Sequence, residues 1–192
     1  MVQTRRLNNL FFTPFETKYG NMAILWQTGK KDTTVCRIFL PKKGKRIEHL
    51  IRAAAPGAQQ NRIPHIDELT KKIVTFLNGQ DTIFDLNTLC LDECSDFQRK
   101  VLLAEAEIPR GWVSTYGRIS RHLGISGGAR AVGSALANNP FPIVIPCHRA
   151  IRADGTTGGY QGGVKMKEEL LRLEGIDVSP SGIVRAARMY FT

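Results

Sequence analysis

The chain has 192 residues, 42% of them hydrophobic, and a formal net charge of +10. That length buries a real core and holds one large domain or two small ones. No apolar run approaches the roughly 20 residues of a membrane helix, and the apolar patch in the opening "MVQTRRLNNLFFTPF" is too short for a secretory signal. The expected setting is the cytoplasm, a reducing compartment in which Cys36, Cys90, Cys94 and Cys147 stay free thiols.

In the first half of the chain, "PFETKYGNMAILWQ" places the turn signal Tyr19-Gly20-Asn21 between two strand-like runs, and "TTVCRIFLP" reads as a third strand stopped by Pro41. "PKKGKR" follows as a solvated loop. In "PHIDELTKKIVTFLNGQ", Ile66, Leu69, Ile73, Val74, Phe76 and Leu77 recur close to a helical period, with Gly79 as the stop. This predicts an amphipathic helix lying on a small sheet. "DTIFDLNTLCLDEC" is then a linker, and its Cys90 and Cys94 lack the matching ligand pair that a zinc site needs, so they read as structural thiols.

Ser95 and Gln98 have the spacing of a capping box and announce a helix that runs toward Pro109. The domain boundary falls here, dividing the chain into 1–93 and 94–192. In "VSTYGRISRHLGISGGARAVGSALANNP", Ser114 can cap a helix to Leu123, Gly124 can end it, and a second helix spans about Ala129 to Asn138. Helix, tight turn, helix fits a helix-turn-helix or an ordinary helical hairpin. Gly127, Gly128, Ala129, Ala131, Gly133, Ala135 and Ala137 leave the second helix almost bare of bulk. It packs closely against either another helix or a groove such as the DNA minor groove, about 6 Å wide. From Ile108 to Ala153 there is no Asp or Glu, whereas Arg110, Arg118, Arg121, Arg130, Arg149 and Arg152 all fall inside. Such a stretch is either a solvated basic face or a polyanion footprint.

Within it lies "PIVIPCHR", residues 142–149. Ile143-Val144-Ile145, fenced by Pro142 and Pro146, reads as a buried strand with a hard stop. Pro146 is pre-shaped for a first helical position, which would set Cys147 among free backbone amides and lower its thiol pKa. His148 is the nearest base, but neighbours on a helical turn point about 100 degrees apart, so proton transfer calls for a bridging water. The carboxylate that would orient the histidine must come from elsewhere, and Glu174 in "LLRLEG" is a candidate. By itself a neighbouring Cys-His pair is either structural or catalytic.

"NPFPIVIPCHRAI", with "ARAVGSAL" before it and "GGYQGGVKMKEELLRLEG" after it, resembles the alkylguanine-DNA alkyltransferases, from about Phe97 to Gly175. The resemblance implies an α/β (α+β) fold: an N-terminal RNase-H-like α/β domain, then a mainly helical C-terminal domain with a winged-helix-like helix-turn-helix. It implies a suicide repair protein that moves the alkyl group of O6-alkylguanine, and of O4-alkylthymine, to its own cysteine, without cofactor or metal. The implied partner is double-stranded DNA carrying the lesion, and the implied state is a monomer with no membrane association, near the nucleoid or in a nucleus. Cys147 corresponds to the alkyl acceptor, His148 to the residue activating it through a water, Glu174 to the residue holding the histidine, and Asn139 to the tie between the turn after the recognition helix and the active-site segment. Tyr116 matches the contact to the flipped guanine and its phosphate, and Arg130 the side chain filling the gap in the duplex. Gly117, Ala129, Ala131 and Gly133 fall on the DNA-facing surface. The carbonyls of Cys147 and Ala150 and the amide of Gln161 would bond the base, and Arg149 is an ion-pairing structural residue. The sequence departs from the family pattern in "GISGGAR", where Ile125 lacks a polar side chain, in Gly117 for a frequent glutamine, and in Gln161 for a frequent serine.

Overall fold

The computed structural model describes residues 10–29 and 33–192, so most of the opening stretch weighed as a secretory signal lies outside it. Strands β1 (Leu10–Thr17) and β2 (Gly20–Thr28) form an antiparallel hairpin whose turn uses Gly20 at φ 110°. Strand β3 (Thr33–Phe39) joins the other side of β2, antiparallel, with a bulge at Leu25/Trp26. The run Met22 to Trp26 is buried without alternation because β2 is central and covered on both faces. Met22, Ile24 and Trp26 pack into the cluster that holds Ile66, Ile73 and Phe76, whereas Ala23 and Leu25 pack with Ile47 and Ile51. The Trp26 indole donates to Thr13 Oγ1 at 3.0 Å, and that hydroxyl donates to Asn61 O at 2.7 Å.

Two elements on this side escape sequence reading. Helix α1 (Ile47–Ala54) carries Ile47, Leu50, Ile51 and Ala54 at helical spacing, but it spans only eight residues directly after the basic loop, too short a run to establish a period. Strand β4 (Gln59–Gln60) is two exposed glutamines paired parallel to β1, which makes the sheet mixed, in the order β3-β2-β1-β4. Helix α2 (Pro64–Leu77) is as expected: proline in its first turn, Ile66, Ile73, Phe76 and Leu77 buried, and Gly79 at φ 96° just past its end. The linker is pinned, since Cys90 N donates to Val35 O at 2.9 Å and Leu89 bridges Val35.

Helix α3 (Asp96–Ala106) starts on Ser95, whose hydroxyl accepts from Gln98 N at 3.2 Å. The other arm of the capping box is spent elsewhere. Gln98 Nε2 donates to Ala135 O at 3.2 Å and Asn138 O at 3.0 Å, because the end of a neighbouring helix offers carbonyls that have no partner of their own. There follow β5 (Ser114–Thr115), α4 (Tyr116–His122), α5 (Ala129–Ala137), β6 (Ala150–Ile151), α6 (Val164–Leu173), β7 (Asp177–Val178) and β8 (Val184–Arg185). The cap of α4 is Thr115, accepting from Arg118 N at 3.1 Å, and not Ser114. Ser114 is held in the β5–β6 pair and donates to Tyr190 O at 2.8 Å. Gly124 at φ 70° closes α4 as read from the sequence. The turn into α5 needs Gly128, where a Cβ would come within 2.5 Å of Ile125 Cγ2. One buried cluster runs from Met22, Trp26 and Phe76 through Val101 and Leu102 to Val132, Phe141 and Leu170, so the sheet and the helical half share an apolar interior.

Candidate active site

The segment leading to Cys147 is a tight turn, not the strand its apolar run suggests. Ile143 stands at φ 76°, and Ile145 N donates back to Phe141 O at 2.8 Å. The physical reason is Asn139. Its amide accepts from Phe141 N at 2.9 Å and donates to Ile145 O at 3.0 Å, meeting at both ends of the loop the backbone needs that a neighbouring strand would otherwise meet. A left-handed Ile costs about 1–2 kcal/mol, which burial of its side chain at 1% exposure offsets. Gln161 Nε2 adds a tie to Asn139 O at 2.7 Å.

Cys147, His148 and Arg149 form a single turn of 3-10 helix. A turn of three residues gathers no cluster of free amides, and the Cys147 amide is already donated to Ile145 O at 2.8 Å. The expected lowering of the thiol pKa is therefore absent. Burial pushes the Cys147 thiol up to about 12, with the Asn139 amide acting in the opposite sense. At neutral pH this sulfur keeps its proton until a base removes it.

A candidate base and its support stand beside the thiol. Glu174, at the C-terminal end of α6, has Oε1 2.9 Å from His148 Nε2. Arg149 Nε donates to Glu174 Oε2 at 2.9 Å, Arg149 Nη2 donates to Oε1 at 2.8 Å, and Nη1 reaches Ile108 O at 2.6 Å. Burial pushes the Glu174 carboxyl up, but His148 and Arg149 overcome it and hold it at about 2. Burial also lowers the His148 pKa, so the ring is neutral and Arg149 is the standing counter-ion. With Nε2 donating to a carboxylate, Nδ1 is the acceptor nitrogen, and it has no partner among the described residues. The arrangement can take a proton at Nδ1 and stabilise the resulting imidazolium through Glu174.

Cys147 lines a cavity of about 230 Å³ together with Tyr116, Gly133, Ala137, Tyr160 and Gln161. A larger cleft of about 370 Å³ beside α1 is lined by Arg37 and Lys42 but by no cysteine, histidine or carboxylate, so the thiol and histidine pair selects the smaller one. Helix α5 stands at its mouth. It buries Val132, Ala135 and Leu136 and turns Arg130, Ala131, Ser134 and Ala137 outward, with Ala129 and Gly133 half-buried. Arg130 is thus the one charge on a face of small side chains.

Residues 96–176 match the family described as 6-O-methylguanine DNA methyltransferase, DNA binding domain. The chain is 47% identical over 113 residues to a methylated-DNA-protein-cysteine methyltransferase of Methanothermobacter thermautotrophicus, covering 59% of this chain and 63% of that one. It is 40% identical over 108 residues to the protein of the same name from Methanosarcina acetivorans, covering 56% and 68%. The chain belongs to the methylated-DNA-protein-cysteine methyltransferase family. Its fold matches the crystal structure of Mycobacterium tuberculosis OGT in complex with DNA, with TM-score 0.68 and 28% identity over 85% of this chain and 92% of that one. The matched part spans 63% and 62% of the first two curated relatives, from M. thermautotrophicus and Salmonella typhimurium.

Within this methyltransferase-family fold, the basic footprint read from the sequence is smaller than its arginine count. Arg149 is buried against Glu174, Arg110 donates to the carbonyls of Gly79, Gln80 and Leu173, and Arg118 to that of Phe191. Arg121, Arg130 and Arg152 remain exposed. Gly117 has open space where a side chain would be, its nearest neighbour being Thr115 Oγ1 at 3.9 Å. The Ala150 carbonyl is taken by Lys167 Nζ at 2.6 Å. Sequence reading missed that lysine, and it missed Glu105 and Tyr160. Lys167 is fully buried and burial lowers its pKa to about 8; Glu105 is fully buried with both oxygens lacking a hydrogen bond of good geometry among the described residues, and burial raises its pKa to about 8. The signal was available: Glu105 lies four residues after Val101, and Lys167 three before Leu170, each on the buried stripe of its helix.

Proposed function

We propose that this chain removes the alkyl group from O6-alkylguanine in double-stranded DNA, and from O4-alkylthymine, and keeps it on Cys147 as a thioether. One observation carries this reading: a buried thiol, in the turn of a histidine tethered to a carboxylate, lines a cavity at the foot of a helix bare of bulk. His148 Nδ1 takes the thiol proton through a water while Glu174 steadies the imidazolium, and the sulfur displaces guanine at the alkyl carbon. Tyr116, whose hydroxyl is pushed up to about 12 by burial, keeps its proton and donates toward the base as charge develops there. The carbonyl of Cys147, and that of Ala150 through the lone pair Lys167 leaves open, accept from the guanine amino group, and the amide of Gln161 donates to its 6-oxygen. A thioether has no leaving step, so each molecule acts once.

Because the target atom lies inside the duplex, the base leaves the stack first, at a few kcal/mol. Helix α5 enters the minor groove with Ala129, Ala131 and Gly133 against the backbone, and Gly117 leaves room beside it. Arg130 fills the vacated space. Asn139 keeps this helix and the Cys147 loop in register, supported by its hydrogen bonds at both ends of the loop. The same proposal covers a division into 1–93, of RNase-H-like type, and 94–192, of winged-helix type, acting as a monomer in the cytoplasm. Among the described residues no helix is long and apolar enough to cross a membrane.

The test is to mix the protein with an oligonucleotide containing O6-methylguanine and weigh it intact. A gain of one methyl group on Cys147, saturating at one per chain, is expected. Unchanged mass, or catalytic turnover without a protein adduct, would overturn the reading.

A further inference from the structure

Two thiols outside the reacting pocket face each other. Cys36 on β3 and Cys90 in the linker bring their sulfurs to 3.8 Å although they are 54 positions apart. Their surroundings differ. Gln27 Nε2 donates to Cys90 Sγ at 3.4 Å, the Cys90 thiol donates to Thr34 Oγ1 at 3.1 Å, a hydroxyl free to turn and donate once that sulfur has lost its proton, and Cys36 Sγ stands on a third side. Cys36 Sγ instead has a carbonyl oxygen, Thr34 O, at 3.9 Å, which suits an S–H donor and repels a thiolate. Cys90 is therefore the sulfur built to carry negative charge. When Cys36 turns its proton from Thr34 O to Cys90 Sγ, that bond brings the Cys90 thiol down to about 6, and the same bond together with burial pushes Cys36 up. Both side chains are partly exposed, whereas Cys147 is buried.

We propose that Cys36 and Cys90 are a peroxide-reactive pair that closes to a disulfide and staples the linker to β3. The Cys90 thiolate attacks one oxygen of a hydroperoxide, the O–O bond breaks, and the departing oxygen leaves as hydroxide or alkoxide and takes a proton from water. Cys90 is then a sulfenic acid, oxidised by two electrons. The Cys36 sulfur attacks Cys90 sulfur, the S–O bond breaks, and water leaves with the Cys36 proton. The sulfurs must close to about 2.05 Å, which side-chain rotation and a small shift of the linker supply. Cys94 has no thiol facing it within hydrogen-bonding distance and its own thiol is pushed up by burial, so it does not compete.

The experiment treats the whole protein with a small excess of hydrogen peroxide, caps remaining thiols with iodoacetamide in denaturant, and maps the peptides. A Cys36–Cys90 bond, an intact mass lower by two hydrogens before capping, and capped Cys94 and Cys147 are expected. In Cys36→Ser the reaction stops at the Cys90 sulfenic acid, which dimedone traps; in Cys90→Ser neither bond nor adduct forms. A Cys90–Cys94 bond, or oxidation of Cys147 before Cys90, would overturn the proposal, and so would a Cys90 that stays fully cappable. The wild-type peptide map decides even where a variant folds poorly, and none of these readouts depends on alkyl transfer.

Discussion

The sheet side and the reacting side of this molecule are held together by different physics. Before residue 94, Thr13 and Thr70 are the polar side chains buried among the described residues, and the interior is Met22, Ile24, Trp26, Ile38, Ile73 and Phe76. After it, Glu105, Asn139, His148, Arg149, Lys167 and Glu174 are all buried. Apolar area tolerates small changes in proportion to what is removed. The buried charges of Arg149 and Glu174 stand only by virtue of one another, so removing one strands its partner. The two sides meet at His148, whose ring lies 6.0 Å from that of Phe76 on α2.

The largest effect should follow from the smallest change of shape. Glu174→Gln keeps the volume but leaves the Arg149 guanidinium buried without its counter-ion, and a loss of about 3–5 kcal/mol in denaturant unfolding is expected. Under the proposed function transfer should also slow, by about 100- to 10,000-fold, since the imidazolium loses its support. Acid should act on the same group in wild type. Its folded pKa of about 2 lies below the ordinary 4.5, so its stabilisation is complete above pH 4.5 and is lost as the pH falls toward 2. His148, lowered by burial from 6.5, adds to the loss once the pH drops below that value. An acid melting profile no steeper in wild type than in the variant would break the contrast between the two sides.

Glu105→Leu should move stability the other way. Among the described residues the carboxyl has no hydrogen bond of good geometry, the Ala150 backbone offsets its burial only weakly, and its folded pKa of about 8 lies above the ordinary 4.5. Wild type therefore loses stability as the pH rises from 4.5 through 8, and the leucine variant is spared that loss. A gain of about 1–4 kcal/mol at alkaline pH is expected, the range seen when buried charges give way to apolar side chains. A variant destabilised at pH 9, measured by urea unfolding, would show that Glu105 pairs with Lys167 in a net favourable way.

The same contrast explains what the sequence made legible. Helix α2 could be read because its apolar face recurs over fourteen residues. The candidate residues Cys147, His148 and Glu174 were legible through the resemblance of "PCHR" and "LLRLEG" to a known pattern, and the structure brings them together. The turn at Ile143 was not, because three apolar residues between prolines look the same as a strand until the Asn139 amide is seen to take over their backbone partners. Arg110 and Arg118 looked like a footprint because charge is visible in sequence and the carbonyl that meets it is not, whereas Arg149, expected from the resemblance to be an ion-pairing residue, is found paired with Glu174. Lys167 and Glu105 hid for the same reason. Cys36 and Cys90 could not be paired from a separation of 54 residues.

On the sheet side, Ile38→Val should be graded rather than disruptive. Ile38 is 2% exposed on β3 and its backbone amide donates to Pro140 O at 2.8 Å, an interaction the substitution leaves alone. Removing one methylene from such a site costs about 0.5–1.5 kcal/mol. A loss as large as that of Glu174→Gln would mean that β3 is coupled to the Cys147 loop through Pro140, and the two sides would then have to be treated as one cooperative network.

The smallest effect on stability belongs to Arg130→Ala, within about 0.5 kcal/mol, because the side chain is exposed on α5 and anchors nothing buried. Its value should appear only with DNA. Under the proposed function, Arg130 offsets the unstacking of an extruded guanine, so its loss matters only where there is a stack to break. The variant should react slowly with alkylated duplex but nearly normally with the free alkylated base. If Arg130 instead served only to neutralise phosphate, added salt would slow wild type to the variant's rate on duplex, and the variant's salt slope would be flatter. Single-turnover rates on both substrates at two salt concentrations separate these outcomes. An equal loss on base and duplex would place Arg130 among the supports of the pocket, despite its exposure, and would extend the interdependence of the reacting side out to its surface.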